Sequence, residues 1–377
     1  MKMADRYIAY GRQWIDDWDA LSIAAVLKSD FITQGPKAKE FEERLARYCG
    51  AKYAVSVSSG TAALHVACLA AGIKQQDEVI TTPMSFAATA NCVLYCGGKV
   101  VFADTQQDPA NIDPDKIQKK ITKRTVAIIP VHYSGHPCAL QEINGLARKY
   151  NLLVLEDACH ALGGKYRGSK IGSCRYSDMA IFSFHPVKSI TTAEGGAVLT
   201  NNKGLYERLL LLRNHGITKG KMRVLGFNYR LNDIQAALGI SQLKKLDTFI
   251  SRRRKIAKIY AAAFRNNPYF DIPEEREYAY CAYHLYPIRV KDEFKKRKKE
   301  IFYRLKEKGL LVQVHYMPIY FHPYYAKLGF KRGLCPNAED FYKREISIPL
   351  FPALKDNQIR YVIQTILKVF NEFNRAR

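Results

Sequence analysis

Lys188 stands between two apolar runs, Met179–Phe184 and Ala197–Thr200, in the stretch MAIFSFHPVKSITTAEGGAVLT. A lysine there either reaches solvent along its own stem or is kept because its amine does chemistry. An amine held in an apolar site gives up its proton more readily and can form a Schiff base with an aldehyde. Ser183, five residues earlier, sets a hydroxyl near the end of the first run. EDACHALG, Glu156–Gly163, follows a strand-like run with two acids, which burial penalises unless they meet a partner. Asp157 could hold a cation or a protonated ring nitrogen, and His160 lies three residues on. SSGTAAL, Ser58–Leu64, turns on small residues into a helix from Thr61, whose free N–H groups, dipole and two nearby hydroxyls suit a phosphate; an ordinary helix cap would look the same. GFNYRLND, Gly226–Asp233, places Asn228 and Arg230 in a loop that either shapes the local chain or reaches another subunit.

A phosphate cradle, a carboxylate for a ring nitrogen and a reactive lysine thus follow in chain order. Pyridoxal 5′-phosphate needs those three things. It carries a phosphate, a pyridine nitrogen that draws electrons when protonated, and an aldehyde that condenses with an amine. An Asp-x-x-His pair is also the beginning of a metal site, but no further ligand clusters with Asp157 and His160, so no metal is expected.

These segments need a scaffold that ends several strands at one edge. Strand-like runs at Tyr53–Val57, Glu78–Thr82, Lys99–Ala103, Thr125–Val131 and Leu152–Glu156 alternate with helix-like ones at Thr61–Ala71, Phe86–Tyr95 and Leu140–Tyr150. Two further helical stretches, Ile15–Lys28 and Ala38–Cys49, come first. The alternation predicts an α/β fold with a mostly parallel sheet covered on both faces, and ligands at the strand ends. After Thr200 come helices at Lys203–Arg213 and Leu231–Phe264. A smaller α+β unit is expected beyond them, with strands at His284–Val290 and Leu311–Tyr316 and a last helix from Asp356. The division is placed at residue 250, giving a large unit over 1–250 and a small one over 251–377.

Composition narrows the function classes. The chain has 377 residues, 47% of them hydrophobic, so it can bury a sizeable core. No apolar run approaches the roughly 18 residues of a membrane span, and the first residues lack a signal-peptide core. No membrane partner is expected, and the expected location is cytoplasmic. Nine cysteines without a C-x-x-C pair read as free thiols. The net charge of +24 raises a non-enzymatic alternative, a regulatory or nucleic-acid-binding protein. No helix-turn-helix, zinc-finger or RNP-like pattern supports it, and the basic clusters Ser251–Lys258 and Lys291–Glu300 lie in helical stretches that can turn lysines to water, so no nucleic acid is expected.

The whole chain resembles the DegT/DnrJ/EryC1/StrS family of sugar aminotransferases. The resemblance is carried, in order, by FITQGPKAKEFEE, SSGTAALHVA, TTPMSFAATANCV, NIDPDKI, EDACHALGGKYRG, FSFHPVKSITTAEGGAVLT, RNHGI, FNYRLNDIQAALGISQLKKL and VHYMPIY. It implies the aspartate-aminotransferase type of fold (type I), with a large mixed seven-stranded sheet domain, a smaller C-terminal domain and a homodimer whose sites lie at the interface. By position it implies Lys188 as the lysine that binds the cofactor aldehyde and Asp157 as the partner of the pyridine nitrogen. Phe86 would stack on the ring, and Gly60, Thr61 and Ser183 would hold the phosphate, joined by Asn228 from the neighbouring subunit. His160 stands where many relatives have glutamine, near the ring hydroxyl. Tyr10, Phe31, Ile32, Thr33, His315 and Tyr316 lie in segments similar to substrate-contacting ones. The words HLYPI and QVHYMPIY are similar to those of enzymes on the route to pseudaminic acid. They imply amino transfer, with L-glutamate as donor, to C4 of a UDP-linked 4-keto-6-deoxy-N-acetyl-hexosamine. The same chemistry on a perosamine or 4-amino-arabinose precursor is the near alternative. Sugar dehydratases of the family carry histidine in place of Lys188, so the lysine argues against that activity. Part of the positive charge could steer a nucleotide diphosphate.

Overall fold

The computed structural model describes residues 7–375. Its centre is a seven-stranded sheet in the order Tyr53–Val57, Gly196–Thr200, Met179–Ser183, Leu153–Asp157, Thr125–Ile129, Glu78–Thr81 and Lys99–Phe102. Only Gly196–Thr200 runs antiparallel to its neighbours; every other pairing is parallel. The expected large, mixed, mostly parallel sheet is present. Strand alternation sorts the side chains between its faces. Ile80, Ile128, Val154, Phe182 and Leu199 enter one buried cluster, and Val79, Ile129, Leu155, Ile181 and Val198 enter another.

The same topology assembles one edge. Parallel strands bring their carboxyl ends together, so Asp157 and Ser183 finish side by side, with Asp157 paired to Ile181. The antiparallel strand begins where its neighbours end, so Gly196 is paired with both Val57 and Ser183. A side chain at Gly196 would place its Cβ 2.5 Å from the carbonyl oxygen of Ser59, and only glycine allows this approach.

A 32-residue helix, Asp233–Phe264, runs from the large sheet into the C-terminal part of the chain and passes through residue 250. Asn232 and Gln235 form a capping box at its start. Asp233 also accepts the backbone N–H groups of Gly35 and Lys37 at 2.8 and 2.7 Å, which caps the helix Pro36–Cys49 where Gly35 has no side chain to do so. A third buried cluster, including Phe264, Ile288, Ile346 and Ile366, joins the end of this helix to a small sheet of Phe270–Asp271, Tyr286–Val290 and Glu345–Ile348 and to the helix Asp356–Arg375. Ile8 belongs to that cluster too, and Ile8–Ala9 pair with Leu310–Leu311.

The expected strand Leu311–Tyr316 is a strand only at Leu310–Leu311. Beyond it Gln313 still pairs antiparallel with Ser347, but the N–H of His315 goes to the Glu345 carboxylate, and the N–H of Tyr316 lies against Met84 Sδ. Those two peptides leave the sheet and enter a cavity. Among the described residues no helix is long and apolar enough to cross a membrane.

Candidate active site

The strand ends open into a cavity of about 450 Å³. Gly60, Thr61, Phe86, Asp157, His160, Ser183, Lys188, Tyr10, His315 and Tyr316, all named from the sequence, line it. Phe31, Ile32, Thr33 and Asn228 lie outside it, on exposed surface.

Asp157 ends its strand and is buried. Its Oδ2 accepts the hydroxyl of Thr89 at 2.6 Å, and its Oδ1 accepts the N–H of Cys159 at 3.2 Å. Thr89 has one hydrogen and gives it to Asp157, so Ser85, 2.6 Å away, must be the donor to Thr89. Two hydrogen bonds thus aim the carboxylate without neutralising it. Glu156, the other acid of the pair, faces the opposite way. It meets His132 Nε2 at 2.8 Å and the hydroxyl of Ser177. Because His132 Nδ1 accepts the N–H of Cys138, its Nε2 carries the hydrogen and donates to Glu156. The two consecutive acids therefore have separate partners on separate faces of the sheet, as strand alternation requires.

Lys188 sits in the turn after Met179–Ser183, its backbone N–H bonded to His185. The side chain is half-buried because the cavity is open, but its amine is enclosed by protein. Burial pushes the ammonium below the usual lysine value, against the pull of Cys159 and Asp157. Three imidazoles share the cavity. Burial, reinforced by the charge of Lys188, pushes His315 down to about 3. Burial is also the main cause that holds His160 and His284 well below the ordinary histidine range. All three are neutral near pH 7. His160 Nε2 lies 3.1 Å from the Tyr316 hydroxyl, and its ring is 4.3 Å from that of His284.

At the other side the helix Gly60–Ala70 points its first turn into the cavity. Ser59 caps it by accepting the N–H of Ala62 at 3.1 Å, and the N–H groups before Ala62 have no partner within the helix. A side chain at Gly60 would bring its Cβ 2.8 Å from Ser183 Cβ, so the helix start is pressed against the strand end. The cradle and the ordinary cap are the same feature.

Three contributors escaped the sequence reading. Thr89 and Ser85 flank Phe86 in an apolar helical segment, and hydroxyls on an otherwise buried face were the available signal. His284 opens HLYPI, and nothing in its spacing ties it to His160.

The chain matches the DegT/DnrJ/EryC1/StrS aminotransferase family over residues 14–367 and belongs to it. It is 43% identical over 377 residues to a UDP-4-amino-4,6-dideoxy-N-acetyl-beta-L-altrosamine transaminase of Campylobacter jejuni, covering 98% of this chain and 99% of that one. Among solved structures it is similar to Helicobacter pylori PseC, an aminotransferase involved in the biosynthesis of pseudoaminic acid. That match has a TM-score of 0.93 and 38% identity, over 97% of this chain and 100% of that one. It is also similar to the PLP form of Spr1654, a putative sugar aminotransferase of Streptococcus pneumoniae. There the TM-score is 0.92 and the identity 28%, over 97% and 99% of the two chains. The fold is the type I fold of PLP-dependent aminotransferases, and the cofactor is pyridoxal 5′-phosphate. The cavity fits that group: a helix start with unpaired N–H groups, a buried carboxylate, a desolvated amine, and an imidazole nitrogen, His160 Nδ1, buried without a partner.

Proposed function

We propose that the enzyme transfers an amino group from L-glutamate to C4 of a UDP-linked 4-keto-6-deoxy-N-acetyl-hexosamine, on the route to pseudaminic acid. The observation that carries this reading is the similarity, over almost the whole chain, to the Campylobacter jejuni transaminase, in a chain whose cavity holds a desolvated lysine. Bound pyridoxal 5′-phosphate supplies the carrier of the amino group and the electron sink for the broken C–H bond. Lys188 is the amine that holds the cofactor and the base that takes and returns the proton at the reacting carbon. Asp157 keeps the ring nitrogen protonated. Gly60, Thr61 and Ser183 would hold the phosphate, Phe86 the ring, and His160 the ring hydroxyl. Tyr10, His315 and Tyr316 are the sugar-side groups within a protomer.

The proposal includes a homodimer. Trp18, Leu21, Phe31, Ile32 and Leu225 are each more than half exposed, apolar side chains that a second copy would cover. Asn228 is then the partner's contribution to the phosphate, and Phe31, Ile32 and Thr33 lie at the sugar's entrance. Lys188→Ala and an Asn228 variant, each inactive alone, should regain activity when mixed and allowed to exchange subunits. We also place the enzyme in the cytoplasm, and divide the chain into units 1–250 and 251–377 that share the helix Asp233–Phe264.

The test is a panel of UDP- and dTDP-linked 4-keto sugars with L-glutamate, with products identified by mass spectrometry and NMR. Amination of the UDP-linked L-arabino-configured sugar is expected. It should exceed that of its D-xylo epimer at C5 by a ratio on the order of 10⁴ if buried polar groups are left unpaired by the wrong epimer. Equal kcat/KM for the two epimers, or turnover of dTDP sugars alone, removes the pathway assignment and leaves the aminotransferase.

A further inference from the structure

A hydrogen-bonded chain runs from the small C-terminal sheet into the cavity. Glu345 begins the strand Glu345–Ile348 and is fully buried. Its Oε2 accepts the backbone N–H of His315 at 2.8 Å, and its Oε1 accepts the hydroxyl of Ser347. Ser347 Oγ lies 2.8 Å from Nδ1 of the His315 ring. One carboxylate thus fixes His315 twice, directly through its backbone and through Ser347 at its ring.

The hydrogen count fixes the imidazole. Burial pushes the Glu345 carboxyl up to about 7 while Lys298 pulls it back, so in mildly alkaline solution it is ionised and can only accept. Ser347 then spends its single hydrogen on Glu345 and offers only lone pairs to the ring. Nδ1 of His315 must carry the hydrogen, and Nε2 must be bare. No described residue bonds Nε2, and His315 lines the cavity that holds Lys188. Tyr10 packs on the ring at 5.0 Å between centroids, and the Tyr133 hydroxyl donates to the His315 carbonyl. The residue is therefore held at its backbone N–H, at its carbonyl and at its ring.

We propose that Glu345 and Ser347 are positioning residues that hold His315 with Nε2 as a hydrogen-bond acceptor, and that this acceptor reads a hydroxyl or amide N–H of the sugar. The second half of the statement rests on the sugar-nucleotide reading above; the first does not. A bare nitrogen repels a carboxylate or phosphate oxygen and welcomes a donor. The group therefore favours the hydrogen-bond donors of the sugar and offers the carboxylates of glutamate no bond.

The test separates the two halves. Histidine-labelled holoenzyme, studied by ¹⁵N NMR in mildly alkaline buffer, should show His315 with a protonated Nδ1 and a bare Nε2, assigned by loss of the signals in His315→Gln. Ser347→Ala should mix or invert the two nitrogens, and Ser347→Thr, which keeps the hydroxyl, should restore them. In Ser347→Ala the KM for the keto sugar should rise about tenfold, equivalent to about 1.4 kcal/mol. Its kcat should stay within about twofold, and the glutamate half-reaction, followed by cofactor absorbance, should be unchanged. A bare Nδ1 in the wild type overturns the positioning role. An unchanged sugar KM in Ser347→Ala overturns the reading of the substrate donor. If the wild type aminates no sugar, the proposed function fails, while the NMR result still decides the tautomer.

Discussion

The floor of the cavity is made by neighbours in the large sheet, and its wall by segments far apart in the chain. On the floor, Asp157, Ser183 and the start of Gly60–Ala70 are set by strand pairing, and the chemistry is charged: a carboxylate, an amine, a row of N–H dipoles. On the wall, Tyr10, His160, His284, His315 and Tyr316 come from an N-terminal segment, the sheet edge and the C-terminal unit, and no group there is charged at neutral pH. A charged cofactor needs fixed countercharges, because a buried charge without a partner is costly. A polar, uncharged sugar ring needs donors and acceptors of defined direction. The two ends should therefore fail differently when altered.

The floor should fail completely. Lys188→Ala should fold with an unchanged circular dichroism spectrum and show no measurable turnover. Borohydride reduction of wild-type holoenzyme should fix the cofactor on the Lys188 peptide alone. A label on another lysine moves the chemistry elsewhere and dissolves the contrast between floor and wall.

Asp157→Asn should lower kcat by roughly 10²–10⁴, the range for loss of one preorganised electrostatic partner or proton-holding group. The cofactor should remain bound through its phosphate. Thr89→Val removes only one of the two hydrogen bonds that aim the carboxylate, and about tenfold is expected from a bond worth about 1.4 kcal/mol. Equal losses in the two variants would mean that aim and charge cannot be separated here.

Burial of Lys188 has a kinetic consequence of its own. In the proposed role of Lys188, the free amine and not the ammonium would condense with the cofactor aldehyde. Because the folded-state pKa is lowered, the reactive fraction grows at a pH below that of an ordinary lysine. Reconstitution of the apoenzyme, followed by the visible band, should speed up with rising pH and level off with a midpoint below 10.5. A midpoint at or above that value means the amine is solvated.

Legibility in the sequence divides along the same line. The floor could be read because each functional residue follows a short apolar run and sits next to a turn, so local pattern and site coincide. The seven strands were visible for the same reason. The wall could not, because its contacts join residues as few as 30 positions apart, His315 and Glu345, and as many as 305 apart, Tyr10 and His315, and no period or cap marks them. The strand expected at Leu311–Tyr316 shows the limit. Its alternation is sound, but Glu345 supplies a side-chain acceptor that takes the His315 N–H out of the sheet. Family resemblance pointed to His315 and Tyr316 as substrate-side residues and quoted HLYPI without giving His284 a role; spacing alone does neither, and neither route pointed to Ser347 or Glu345.

The smallest effect should come from Tyr316→Phe. The hydroxyl meets His160 Nε2 at 3.1 Å, a bond between two neutral groups, and the ring packs at 6.4 Å from Phe86 and 6.0 Å from His160. Phenylalanine keeps the packing and deletes the bond. A neutral hydrogen bond is worth about 0.5–1.5 kcal/mol, which sets a change of about two- to tenfold in kcat/KM for the sugar. His160 then has neither ring nitrogen paired among the described residues, since Nδ1 already lacks a partner there, so part of the cost should appear as a lower melting temperature. The glutamate half-reaction should be nearly unaffected if the pair belongs to the wall. If instead both half-reactions slow equally and the cofactor band shifts, His160 acts on the cofactor through Tyr316, and the boundary between the two ends lies beyond that pair.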